Sequence, residues 1–205
     1  PATERNREPI CAVLAAALPD TGTVLEIASG TGQHALFFAS RLAPRHWLPS
    51  DPNPIARDSI RSWQATTSLD NLHAPIALDM TVPDWTATVT AWQQTQLPEV
   101  PPIRAIANIN MIHISPWTAC EGLFAGAGQL LSTGDVLYLY GPFKRDGEHT
   151  APSNEAFDRS LRSQNPAWGI RDLAAVIDIA QQHGFTFQRE VAMPANNLSL
   201  IFHKA

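Results

Sequence analysis

The chain has 205 residues and a formal charge of −5. A chain of that length can bury the core of one domain without disulfides or metals, and its acidic balance provides no basic groove for nucleic acid. A hydrophobic content of 44% against 16% charged residues excludes a disordered polymer.

Short strands and helices alternate along the sequence. Residues 7–18 (REPICAVLAAAL) read as a first helix. "TVLEIA" (23–28) is a buried strand by its near-continuous apolar run, and 33–43 follow as a helix. Residues 45–51 form a second strand that ends in an acid. Pro54 opens the helix 54–66, where its missing N–H costs nothing. "APIALDMT" (74–81) is a short third strand. Asp84 is expected to cap a helix reaching about residue 96. A fourth strand spans 103–112, a helix 117–131 and a fifth strand 135–143. Helix 172–184 ends on Gly184, a terminating residue. Two late strands, 185–193 and 198–204, are joined by "PANN", too short for a helical crossover, so they run antiparallel. The expected fold is α/β: a mostly parallel seven-stranded sheet with a C-terminal antiparallel hairpin, in one domain covering residues 1–205. Asn196 and Asn197 are expected to take positive φ in that hairpin.

The turn after the first strand carries the strongest signal. Gly30 and Gly32 allow a tight bend and close approach of a ligand to the backbone. "GTGQHA" fits the dinucleotide pattern G-x-G-x-x-G/A. Glu26, Ala28, Gly30 and Gly32 also fit the alternating acidic-x-G-x-G-x-G turn of S-adenosylmethionine methyltransferases, with Ala28 in place of the first glycine. A carboxylate at Glu26 would repel a pyrophosphate and attract an ammonium group. Asp51 ends the second strand, where a carboxylate accepts ribose hydroxyls for either ligand; Asp79 ends the third, where it accepts from an adenine amine. Ser29, Pro52, Met80 and Asn108 stand beside these positions and complete the expected cofactor set.

The stretches "ERNREPI" (4–10), "LEIASGTGQHA" (25–35), "NMIHISPW" (110–117), "LYGPF" (139–143), "SNEAFDRSLRSQNPAWGIRD" (153–172) and "MPANNLSLIF" (193–202) resemble the methyltransferase-like 26 family over almost the whole chain. That resemblance implies a Rossmann-like class I fold and S-adenosylmethionine as methyl donor. It implies no substrate.

A substrate would sit past the ends of strands four and five. His113 is the candidate general base, since an imidazole with a pKa of about 6.5 takes a proton at working pH; a hydrogen-bonded structural histidine is the alternative. The polar insert 142–169 and the N-terminal segment 1–18 are read as a substrate lid. Arg5, Asn6 and Arg145 are candidates for polar or anionic contacts, with Arg7 equally well explained as a solvated helix-start charge. Trp117, Tyr140, Phe143, Asn154 and Trp168 are candidates for the remaining wall.

No Asn-Pro-Pro-aromatic tetrapeptide follows strand four, which lowers the case for an exocyclic base amine as methyl acceptor. The main expectation is transfer to an N, O or S nucleophile on a small molecule. A non-catalytic cofactor-binding module and a nicotinamide oxidoreductase are the alternatives. No His or Cys falls at metal-ligand spacing, so no metal is expected. No apolar run approaches the roughly 20 residues that span a bilayer and no signal peptide is visible. A cytoplasmic monomer or homodimer, with no membrane or nucleic-acid partner, is therefore expected.

Overall fold

A computed structural model describes residues 2–205. Helix α1 (Ala2–Ala17) precedes β1 (Thr23–Ile27), α2 (Gln33–Arg41), β2 (His46–Pro49), α3 (Pro54–Gln64), α4 (Trp85–Gln96) and β3 (Ile103–Ile109). After a 3-10 turn at Met111–His113 come α5 (Trp117–Leu130), β4 (Val136–Gly141) and a small hairpin of β5 (Lys144–Arg145) and β6 (Glu148–His149). Helices α6 (Pro152–Gln164) and α7 (Leu173–Gln182) then lead to β7 (Phe185–Met193) and β8 (Asn197–Lys204).

The main sheet has six strands in the order β2-β1-β3-β4-β8-β7. The first four are parallel, and β8 runs antiparallel to both β4 and β7. The mostly parallel sheet and terminal hairpin are therefore present, but the expected seventh strand at 74–81 is not continuous. The chain there makes only isolated bridges, Leu72 to Trp47 of β2 and Ile76 to Ser50 just beyond it. Pro75 lies between them and has no N–H to donate, so the ladder breaks there, as an edge position tolerates.

Strand alternation splits the core in two. Val24 of β1 and Val136, Tyr138 and Tyr140 of β4 face α1 and α2. Leu25, Ile27, Leu137 and Leu139 face the opposite layer, built with residues of α4, α5 and α7. Arg45 holds α1 in place: its guanidinium donates to the carbonyls of Pro19 (2.6 Å), Leu18 (3.2 Å) and Ala15 (3.4 Å), groups that a helix end leaves without partners.

Two local readings need correction. Asp84 stands at the start of α4, but it is left-handed at φ 61° and its side chain caps nothing. In the final hairpin Asn196 takes positive φ as expected, whereas Asn197 is extended at −93° and Ala195 fills the other left-handed place at 57°.

Helix α5 reaches the sheet edge closely because Gly122 has no side chain. A Cβ there would stand 1.9 Å from the carbonyl oxygen of Met80. Gly122 also accepts a hydrogen bond from Trp85 Nε1 at 3.0 Å. We expect Gly122→Ala to cost about 1–3 kcal/mol of stability by forcing that backbone apart. Chemical denaturation with an unchanged m-value checks it; an unaltered midpoint would contradict the packing described.

Candidate active site

The carboxyl ends of β1 and β2 are joined by a dense set of bonds. The Ser29 amide donates to the Ser50 carbonyl at 2.8 Å, and the Ser50 amide and hydroxyl donate to the Glu26 carbonyl at 2.9 and 2.8 Å. Asp51 completes the joint: its Oδ2 accepts from the Gly30 amide at 3.0 Å and its Oδ1 from the Asn53 amide at 2.9 Å. The turn between is left-handed at Ala28, Gly30 and Gly32, with φ of 56°, 56° and 86°. Gly32 has a second constraint, because a Cβ there would meet Ile60 Cγ1 at 2.7 Å. Ala28 takes the left-handed form without being glycine, at a cost of roughly 1–2 kcal/mol.

Beside this turn lies a cavity of about 430 Å³. Ala28, Asp51, Pro52, Asp79, Met80 and Trp168 line it, as the sequence reading places them at the cofactor or acceptor site. Thr81, Met111, Ile114 and Ser115 also line it and were missed; they come from loops whose path no periodicity reveals. Asp79 is exposed and its Oδ1 accepts from the amide and hydroxyl of Thr81 at 2.9 and 2.7 Å. The wall carries two carboxylates and no Lys, Arg or His. Asn108 stands at the end of β3, where its Nδ2 donates to the Ile27 carbonyl at 3.1 Å. Its buried Oδ1 has no hydrogen-bond partner among the described residues.

Glu26 does not line the cavity. Strand alternation turns it into the α1–α2 layer, where its Oε2 accepts from Trp47 Nε1 at 2.5 Å. Burial pushes its carboxyl from 4.5 up to about 7, and the Trp47 bond opposes that.

A second cavity, of about 270 Å³, opens on the α1 side of the sheet. It gathers Asn6, Tyr140 and Asn154 from the expected acceptor-side set, with Asn110, Phe157 and Asn197 beside them. Consecutive residues line the two cavities, Asn110 the smaller and Met111 the larger.

The other expected acceptor-side residues stand elsewhere. Phe143 is core, packed edge-on to His113 at 5.0 Å. Arg145 is paired with Glu190. Trp117 packs against the core with the Arg171 guanidinium 5.7 Å from its ring. Arg5 is exposed and lines neither cavity.

His113 is not built as a base. Its side chain is fully buried and lines neither cavity. Nδ1 accepts from the Arg171 amide at 3.3 Å, so the neutral ring carries its proton on Nε2 and has no lone pair left to take another. Burial, helped by the Arg171 charge, pushes it down to about 3. With its carbonyl accepting from the Gly169 amide at 2.9 Å, His113 ties the 169–171 loop to the sheet. Among the described residues no group of three or more His, Cys, Asp or Glu is placed to hold a metal ion, and no helix is long and apolar enough to cross a membrane.

This sheet, with its terminal hairpin and a cavity at its carboxyl ends, has the class I methyltransferase fold. An O-methyltransferase family protein from Burkholderia thailandensis shares it at TM-score 0.76 and 14% identity, over 97% of this chain and 56% of that one. An O-methyltransferase family 2 protein from Planctomyces limnophilus, solved with apigenin, aligns at TM-score 0.76 and 17% identity, over 98% and 56%. Human N-acetylserotonin methyltransferase, solved with S-adenosylmethionine, aligns at TM-score 0.76 and 11% identity, over 100% and 53%. The chain thus spans about half the length of these proteins. It belongs to the family described as "Protein of unknown function (DUF938)", whose model matches residues 1–204.

The raised pKa of Glu26 sets a pH dependence. A group whose folded pKa lies above its unfolded value stabilises fully below the unfolded value, 4.5, and loses that contribution as pH rises through about 7. Glu26→Gln keeps the Trp47 bond and removes the ionisation. The variant's stability relative to wild type should therefore rise across that window, by up to about 3 kcal/mol. Paired urea titrations at several pH values measure it; a difference that does not change with pH would contradict the assignment.

Proposed function

We propose that this chain is an S-adenosylmethionine-dependent methyltransferase acting on an N, O or S nucleophile of a small molecule. The observation that carries the reading is the wall of the larger cavity: two carboxylates, no basic side chain, and apolar faces between them. A nucleoside fits that chemistry. Asp51 has lone pairs for ribose hydroxyls, Asp79 faces the place for an exocyclic amine, and Met80, Met111 and Ile114 offer flat apolar contact. Asn108 lines neither cavity, so its unpartnered Oδ1 carries no part of this reading. A dinucleotide would bring two further negative charges to a wall that has no cation, which disfavours the nicotinamide reading.

When bound, S-adenosylmethionine supplies a methyl group already activated by its sulfonium. The chain's own part is then alignment and exclusion of water, which can supply most of the rate. The lack of a free base at His113 is compatible with turnover on that account, although it is also the observation that favours a non-catalytic cofactor-binding module. Residues 1–18 and 142–169 border the smaller cavity through Asn6, Asn154 and Phe157, which supports their reading as a substrate lid. The finer resemblance to the methyltransferase-like 26 family, the cytoplasmic location and the monomeric or dimeric state belong to the same proposal.

Isothermal titration with S-adenosylmethionine, S-adenosylhomocysteine and NADH tests it. Both sulfur ligands should bind, and Asp51→Ala should weaken them about tenfold or more, because the Gly30 joint and the ribose contact are lost together. Binding of NADH alone would overturn the proposal.

A further inference from the structure

The smaller cavity has a chemical character of its own. Among the described residues its wall carries no acid and no strong base, and its one ionisable side chain is the Tyr140 phenol. Of the cations near it in sequence, Arg5 lines no part of the wall and the others are engaged elsewhere. Arg145 pairs with Glu190, Lys144 lies 3.6 Å from Asp158, and the Arg7 guanidinium sits 4.8 Å from the Phe37 ring centroid. A charged ligand taken into this cavity would lose its water without gaining a counter-ion, which is expensive.

The polar groups on the wall are held in fixed senses. His34 Nε2 lies 2.9 Å from Asn6 Oδ1. An amide oxygen only accepts, so Nε2 carries the hydrogen. Burial, with the Arg7 charge, pushes His34 down to about 4, so the ring is neutral at ordinary pH. The Tyr140 phenol stands on the same wall, and its O–H can donate. Burial pushes that phenol up, so it keeps its proton. Across the wall, the two Nδ2 hydrogens of Asn154 go to Thr150 Oγ1 at 3.1 Å and the Asn196 carbonyl at 3.0 Å. The free group of that amide is its oxygen, an acceptor. Phe157, on α6, adds an aromatic edge that is 41% exposed.

We infer that this cavity binds an uncharged aromatic methyl acceptor that presents a hydrogen-bond acceptor to Tyr140 and a donor to Asn154. The identity of the occupant as the methyl acceptor rests on the proposed methyltransferase function; the charge selectivity rests on the cavity itself.

Three probes share one phenol ring and differ in charge: 4-hydroxybenzamide is neutral, 4-hydroxybenzoate anionic and tyramine cationic. Each is titrated into the full chain, with and without S-adenosylhomocysteine, and followed by saturation-transfer NMR. The neutral probe should bind about tenfold or more tightly than either ion. Tyr140→Phe and Asn154→Leu should each weaken it about tenfold. Equal binding of a charged probe, no binding of the neutral one, or indifference to Tyr140→Phe would each overturn the inference. Failure to bind S-adenosylhomocysteine would instead count against the methyltransferase reading, because the titrations without it report on the cavity alone.

Discussion

The Asp51 carboxylate is the contact on which the site depends. Its two oxygens accept backbone hydrogens from Gly30 and Asn53, one on each side of the gap between β1 and β2. Charge-assisted bonds of this kind are among the stronger ones in a protein. They hold a left-handed turn against a second strand end and leave one edge of the carboxylate on the cavity wall. The same residue therefore builds the turn and faces whatever the turn receives. Ala28 shows how firmly the joint is determined: it adopts a conformation that glycine would take more cheaply, and the Ser29, Ser50 and Asp51 bonds around it hold it there.

The second constraint is closeness. Gly122 lets α5 lie against the Met80 carbonyl, and Gly126 does the same against the Trp85 ring, where a Cβ would come within 2.1 Å. These contacts replace the ladder that segment 74–81 does not make. The edge of the sheet is therefore shaped by a helix and an indole, and the Asp79–Met80 wall of the cavity is held in place without a regular strand.

What the sequence conveys follows from how local the cause is. Strands β1 and β4 are legible because they are buried on both faces and read as continuous apolar runs. Asp51 is legible because it follows the second strand beside the glycine turn after the first, whereas Asp79 lies in a segment that makes no regular strand. The hairpin of β7 and β8 is legible from the shortness of "PANN". The rest depends on tertiary direction. Glu26 has the expected residue type at the expected place, but alternation points it at Trp47 and away from the cavity. His113 has the right chemistry and the wrong surroundings, since its lone pair is taken by the Arg171 amide, a group 58 residues away. Phe143 and Arg145 sit in the expected insert, yet one is drawn into the core and the other to Glu190. No signal in the sequence joins His34 to Asn6, because two separate helices bring them together.

The chain contains only three methionines, and they provide a direct probe. Met80 and Met111 line the larger cavity, while Met193 lies in the other core layer and lines neither cavity. With methyl-¹³C methionine, titration with S-adenosylhomocysteine is predicted to shift the Met80 and Met111 methyl signals through the ring current of a bound adenine and to leave Met193 unmoved. Unmoved Met80 and Met111 signals, under conditions where the ligand is shown to bind, would contradict the assignment of the nucleoside to this cavity.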